Sequence, residues 1–235
     1  PTPTQVNGQL AVYFIDVGQG DAIVVKNGNY TMLIDAGTNT GTTSLINTLK
    51  AMGITRFDVV VATHPHEDHI GGLDAVINQF GIGKIYMPNT TATTITFTDV
   101  LTAIKNKGLT ITSPLPGTVF NVGQAQCTIL APNSQTYTDL NSYSIVIRLV
   151  YGNTSFLFTG DAPNDSEKEM LAKGVNLKAD VLKVGHHGSD TSTSPDFLKA
   201  VSPKYAVISV GKGNTYGHPA QTTIDRLNGA GVKVY

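Results

Sequence analysis

The stretch Val59-Val60-Val61-Ala62-Thr63-His64-Pro65-His66-Glu67-Asp68-His69-Ile70-Gly71-Gly72 sets three histidines and two carboxylates directly after an apolar, β-branched run. The run reads as a buried strand and the polar residues as the loop that follows it, with a helix beginning near Gly72. Neutral imidazoles and carboxylates are ligands that divalent zinc, manganese or iron accept, and the spacing permits two ions. His64 and His66 can converge on one. Asp68 and His69, further around the turn, face a second. Burying so many polar groups without a cation to pair them would be strongly unfavourable.

The chain holds six histidines, and each falls at the end of an expected strand or in the loop just after it: His64, His66, His69, His186, His187 and His218. Loops at strand ends can all point to one edge of a layered fold, so the six can meet. His186 and His187 follow the expected strand Asp180–Val184. Adjacent side chains of an extended segment point opposite ways, so one is expected to bind metal and the other to contact substrate or orient a ligand, with His187 taken as the ligand. Asp161 follows the strand Ser155–Thr159, and Gly160 lets its backbone approach a cluster closely. Asp16 and Asp21 flank the turn Gly18-Gln19-Gly20, whose N–H groups can face an anion. Lys183, Lys204 and Lys212 sit near strand ends in the second half and are candidates to meet phosphates.

His64-x-His66-x-Asp68-His69 after a hydrophobic strand resembles the signature of the metallo-β-lactamase superfamily. Phe14-Ile15-Asp16-Val17-Gly18-Gln19-Gly20-Asp21-Ala22 and Leu182-Lys183-Val184-Gly185-His186-His187-Gly188-Ser189 are similar to segments of its ComEC branch, in which the domain lies beside a membrane DNA-uptake channel. The resemblance implies a four-layer αββα sandwich, with two mixed sheets face to face, helices on the outer faces, and metals where strand ends of both sheets meet. It also implies that Asp161 bridges two cations, that Asp35 supports the metal loop from behind, and that Asp16 and Asp21 border the site. Many superfamily members carry a metal-binding histidine near Asp139–Ser144. This chain has none there, and Asn141 and Ser144 stand as they do in the ComEC branch. Asn141 is expected to bond substrate or metal-bound water, and manganese becomes as suitable as zinc.

The ligand sets expected from these readings are His64, His66, Asp161 and His187 for one metal, and Asp68, His69, Asp161 and His218 for the other. Asp68, His69, Asp161, Asn141 and His186 carry the chemistry, with Asp16, Asp21, Asp35, Ser144 and Lys183 in support or on substrate. Two cations about 3.5 to 4 Å apart turn a shared water into bridging hydroxide at neutral pH. Hydrolysis follows, and the branch resemblance favours a phosphodiesterase or nuclease acting on DNA. Alternatives are a phosphodiesterase on phosphorylcholine or cell-wall polymers, a lactam or thioester hydrolase, and a metal-binding module without catalysis. Aromatic residues at the pocket mouth would favour a choline cage, and a lysine- or arginine-lined groove a nucleic acid.

The elements that must position these residues alternate. A β-meander is expected over Leu10–Val17, Ala22–Val25 and Tyr30–Ile34, then a helix over Leu45–Met52 and the metal strand. A helix carrying Leu73, Val76, Ile77 and Phe80 is expected to stop at Gly81, before a short strand over Lys84–Met87 and a helix through Val100–Ile104. The second half repeats this order: a hairpin around Gly152-Asn153, helices Asp165–Lys173, Pro195–Val201 and Pro219–Asn228, and strands Asp180–Val184, Tyr205–Val210 and one from Val232. With 235 residues the chain suits one α/β domain over 10–235, preceded by a Pro/Thr linker remnant at 1–9. Charged residues make up 14% and the net charge is −1, which excludes a global basic field, so a nucleic acid would have to be gripped locally. The single Cys127 excludes an intrachain disulfide and reads as a buried strand residue. No apolar run reaches a membrane span. The Thr- and Asn-rich, charge-poor composition suggests an extracellular or cell-surface protein, with a cytoplasmic one as the alternative, and a monomer.

Overall fold

The computed structural model describes residues 8–235, so the linker expected at 1–9 lies almost wholly outside the described residues. Six strands form the first sheet in chain order: β1 (Leu10–Phe14), β2 (Ile23–Asn27), β3 (Tyr30–Ile34), β4 (Arg56–Val61), β5 (Gly81–Tyr86) and β6 (Ile111–Thr112). The first three run antiparallel and the rest join in parallel. Parallel neighbours need a crossover. α1 (Thr42–Ala51) supplies it from β3 to β4, α2 (Glu67–Ile70) and α3 (Leu73–Gln79) from β4 to β5, and α4 (Ile95–Asn106) from β5 to β6.

The second sheet has seven strands. β7 (Val119–Val122), β8 (Ala125–Ala131), β9 (Val146–Tyr151) and β10 (Thr154–Phe158) are antiparallel, and β11 (Val181–Lys183), β12 (Tyr205–Val207) and β13 (Lys233–Val234) continue from β10 in parallel. α5 (Asn164–Ala172), α6 (Pro195–Val201) and α7 (Gln221–Gly229) make its crossovers.

Period-two alternation divides the strand residues between faces. Ile23, Val25, Met32, Ile34, Val59 and Val61 meet Cys127, Ile129, Ile147, Leu149 and Phe158 of the other sheet in a shared apolar layer. Their neighbours Val24, Leu33 and Val60 turn outward onto Leu45, Leu49, Val76, Ile77, Val100 and Ile104 of the helices. Leu157, Leu182 and Ala206 do the same against Met170, Phe197, Leu198 and Leu227. The result is the four-layer αββα sandwich of two mixed sheets. Burial pushes the Cys127 thiol up to about 12, in keeping with an inert core residue.

Local differences from the sequence reading have physical causes. The helix expected near Gly72 is α3, with Gly72 at its N-cap, but a separate turn, α2, precedes it from Glu67, so Asp68 and His69 ride on a helical turn rather than an open loop. Gly71 lets that turn press against the backbone of Thr38 and Asn39, where any Cβ would collide. Gly81 opens β5 instead of only stopping α3, because the strand continues through Gly81 and Gly83 flat against Arg56 and Asp58 of β4. β12 ends at Val207, earlier than expected, and the last helix starts at Gln221.

Candidate metal centre

The chain leaves β4 at Val61 and is caught at once by Asp35 at the end of β3. Thr63 donates to the Asp35 carboxylate through its N–H at 2.8 Å and through Oγ1 at 2.7 Å, and Asp35 returns its own N–H to the Val61 carbonyl. Asp35 has φ 59°, a backbone that bulky residues avoid and aspartate tolerates. The other Asp35 contact is with His69: Nδ1–H donates to Oδ2 at 2.8 Å, and both residues are fully buried. That bond fixes the tautomer, so Nε2 of His69 carries a bare lone pair.

Across the seam between the sheets, the same logic fixes His187. Its Nδ1–H donates to the Ser209 carbonyl at 2.9 Å, and its Nε2 lies 3.3 Å from Nε2 of His69. Around these two lone pairs stand carboxylate oxygens and, against His69, the ring of His64 at 4.2 Å between centroids. Asp68 Oδ2 is 3.1 Å from His187 Nε2, Asp161 Oδ2 is 3.4 Å from it, and Asp161 Oδ1 is 3.2 Å from His69 Nε2. On the far side of Asp161, His64 Nε2 lies 3.8 Å from Oδ2 and 3.1 Å from Nδ1 of His66. Ser144 ties this side together, its Oγ accepting from the Asp161 N–H at 3.1 Å and meeting His64 Nδ1 at 3.4 Å.

Bare nitrogen lone pairs and carboxylates facing one another repel unless a cation stands between them, and Asp161 Oδ1 is buried with no hydrogen-bond partner. Protons fill the role when nothing else does. Burial opposes a charged His187, yet Asp161 and Asp68 hold it up to about 9, and burial is likewise overcome at His69, where Asp161 and Asp35 raise it well above the usual histidine range. Burial pushes Asp161 upward, but His69 and His187 pull it well below the usual carboxylate range. Burial and neighbouring His69 hold His64 neutral, the state in which imidazole binds metal. These residues fit a divalent cation: ligand atoms of His64, His69 and Asp161 lie within 4.8 Å of one another, and so do those of Asp68, His69 and His187.

That grouping differs from the expected one. His187 gathers with Asp68 and His69 rather than with His64 and His66, and His218 joins neither group, its ring 5.6 Å from that of His186 and 6.0 Å from that of Tyr216. The cause is the turn at Gly185–Gly188. His186 and His187 are not extended; both have positive φ, 50° and 54°, which swings His187 inward while His186 stays at the rim. His186 keeps Nδ1 3.1 Å from Thr191 Oγ1 and Nε2 3.8 Å from Asp161 Oδ2.

Lys183 cannot meet a phosphate. It is 1% exposed, because Leu182 and Val184 take the helix side of β11 and turn it inward, where Nζ pairs with Asp21 Oδ2 at 2.8 Å. Asp21 in turn sits 3.6 Å behind His187 Nδ1. Lys204 pairs with Asp180 at 3.0 Å on the surface. Asp16 is exposed and caps its own turn through the Gly18 N–H. Asn141 lies in a one-turn 3-10 helix beside Ser144, outside the cleft lining, with Oδ1 buried and unpartnered. The sequence reading missed Thr63, Ser209 and Tyr216. A hydroxyl just before His64 could have signalled the first, whereas a backbone carbonyl such as that of Ser209 leaves no side-chain trace.

A cleft of about 620 Å³ opens over the cluster, with Asp68, Asp161, His186 and His187 at its floor and Tyr216 and His218 at its mouth. No lysine or arginine lines it.

A family model described as the metallo-beta-lactamase superfamily matches residues 15–212. ComE operon protein 3 of Bacillus subtilis is 32% identical over 95% of this chain and 31% of its own length. Competence protein ComA of Neisseria gonorrhoeae is 34% identical over 96% of this chain and 30% of its own. The chain thus spans under a third of the length of these two relatives. Among solved structures, the diiron β-hydroxylase CmlA of Streptomyces venezuelae superposes with a TM-score of 0.65 at 16% identity, over 99% of this chain and 53% of that one. Tm1679, a metal-dependent hydrolase of the β-lactamase superfamily, does so with 0.63 at 13% identity, over 97% and 95%. At such identities the likeness is one of fold.

Proposed function

The chain belongs to the metallo-β-lactamase superfamily, and from that membership we propose that its cleft hydrolyses phosphodiesters with two divalent ions, zinc or manganese, acting on DNA. The observation that carries this reading is the 3.3 Å approach of two tautomer-fixed Nε2 atoms, with Asp161 reaching from them to the His64–His66 pair. Bound there, divalent ions supply Lewis acidity and water activation at neutral pH. The chain's own residues do the rest. Asp35 and the Ser209 carbonyl hold His69 and His187 in the metal-binding tautomer, and Ser144 orients Asp161. His186 stands at the rim with Nε2 toward Asp161, where it can hydrogen-bond a phosphate oxygen, and burial keeps its proton affinity below the usual histidine range.

The competence names of two relatives support DNA as the substrate. The cleft lining has no row of lysine or arginine, so the support for DNA comes from the relatives' names and not from the lining, while a single tyrosine is too few faces for a choline cage. The charge-poor composition supports a place outside the cell.

The test is turnover of bis-nitrophenyl phosphate and of labelled DNA by metal-stripped protein given back zinc or manganese. Both should be cleaved, and His66→Ala should cleave neither while binding less metal. Full turnover by His66→Ala would remove the site, and cleavage of lactams or thioesters alone would remove the substrate class.

A further inference from the structure

Tyr216 is 70% exposed at the mouth of the cleft. It is not loosely placed. Its ring lies nearly parallel to that of His218, at 20° and 6.0 Å between centroids, and His218 packs in turn on His186 at 5.6 Å. The loop that presents it is held by one side chain. Asn214 Nδ2 donates to the carbonyls of Gly211 and His218 at 3.0 and 2.6 Å, and Asn214 Oδ1 accepts the N–H groups of Tyr216 and His218 at 3.0 and 3.1 Å. Gln19, from the first sheet's turn, anchors the loop's start by accepting the Gly211 N–H at 3.0 Å.

One face of the Tyr216 ring is therefore backed by His218, and the other is open to solvent. A preset aromatic face with solvent on one side can stack a flat π-system. We propose that Tyr216, backed by His218, is a stacking platform for one unpaired nucleobase of a single strand lying in the cleft. The proposal rests on the nucleic-acid reading above. The two ring steps separate Tyr216 from His186 and the metal ligands, so the stacked base belongs to a nucleotide beyond the one whose phosphate is cleaved. Oligonucleotides gain from the platform, and small diesters do not.

The test separates stacking from cleavage. The binding probe is a labelled octathymidylate with methylphosphonate linkages, uncharged and uncleavable, set against the same backbone without bases. Wild-type protein should bind the thymine probe about tenfold tighter than the base-free one, Tyr216→Ala should abolish the difference and Tyr216→Phe should keep it. With zinc or manganese restored, Tyr216→Ala should raise KM for ordinary octathymidylate about tenfold at unchanged kcat, and turn over bis-nitrophenyl phosphate as wild type does. Equal binding of the thymine probe by wild type and Tyr216→Ala overturns the platform even where DNA is cleaved. So does phosphorylcholine binding that Tyr216→Ala abolishes while thymine binding stays unchanged. Tyr216-dependent thymine binding in a protein that cleaves no diester upholds the platform and overturns the hydrolytic reading instead.

Discussion

Asp35 stands behind His69 and Asp21 behind His187, both carboxylates buried, yet the two are satisfied by different partners. Asp35 takes three hydrogen bonds, from His69 Nδ1 and from the N–H and hydroxyl of Thr63, all at 2.7 to 2.8 Å. Asp21 takes a buried ammonium, that of Lys183 at 2.8 Å, and its second oxygen lies 3.6 Å from His187 Nδ1 with no partner of its own. The His187 proton goes to a main-chain carbonyl instead. The tautomer of His69 therefore depends on a side chain that substitution can remove, whereas that of His187 is built into the backbone. Asp21 contributes negative potential from below, and Lys183 makes its burial tolerable.

The largest break in this comparison comes from Lys183→Met, which leaves Asp21 charged, buried and unpaired. It should destabilise the chain by about 3–5 kcal/mol in thermal unfolding, and the double variant with Asp21→Asn should regain most of that. A single-variant loss under about 1 kcal/mol would mean that water reaches the pair.

A second effect follows from the proton that His187 holds in the absence of metal. Its affinity is raised from the ordinary 6.5 to about 9, so its stabilisation is full below pH 6.5 and is lost as pH rises through about 9. Metal-stripped protein should lose on the order of 3 kcal/mol over that window. Metal-loaded protein, whose imidazoles are already unprotonated, should stay level. A flat profile for the stripped protein would show that His187 does not carry this proton.

The smallest effect sharpens the contrast most. Asp35→Asn should weaken metal binding about 10- to 100-fold in a chelator competition, because the partner that fixes His69 is lost. Asp21→Asn in the Lys183→Met background should leave metal affinity within a few-fold of wild type. Equal losses at both positions would mean that Asp21 orients its histidine after all.

Much of this arrangement is legible in the sequence where chemistry and local order coincide. The contiguous His64–His69 segment, with an apolar strand before it, announces its own role, and the alternation of strands and amphipathic helices is regular enough to give the layers. Which of these side chains gather together was less legible. It turns on two consecutive left-handed residues, His186 and His187, whereas the reading assumed an extended chain whose neighbours diverge. Lys183 was legible as a supporting residue but not in its burial, for a different reason. A lysine near a strand end is ordinarily a surface residue, and its partner Asp21 is remote in the chain, though its place between Leu182 and Val184 already marked an inward face. Tyr216 passed unremarked because an isolated tyrosine in a polar loop carries no periodic signal, and only the parallel His218 ring gives it meaning.

Beneath the cluster the shared apolar layer gives way to the buried ion pair of Lys183 from the second sheet with Asp21 from the first. Asp68 and His69 hang from the first sheet, Asp161 and His187 from the second, and their 3.3 Å meeting point spans the joint. Sliding one sheet over the other by the width of a methyl group would pull the two imidazoles out of each other's reach. A cation seated there would be a rivet as well as a reagent, adding a second tie between the leaves to the one that Lys183 and Asp21 already make.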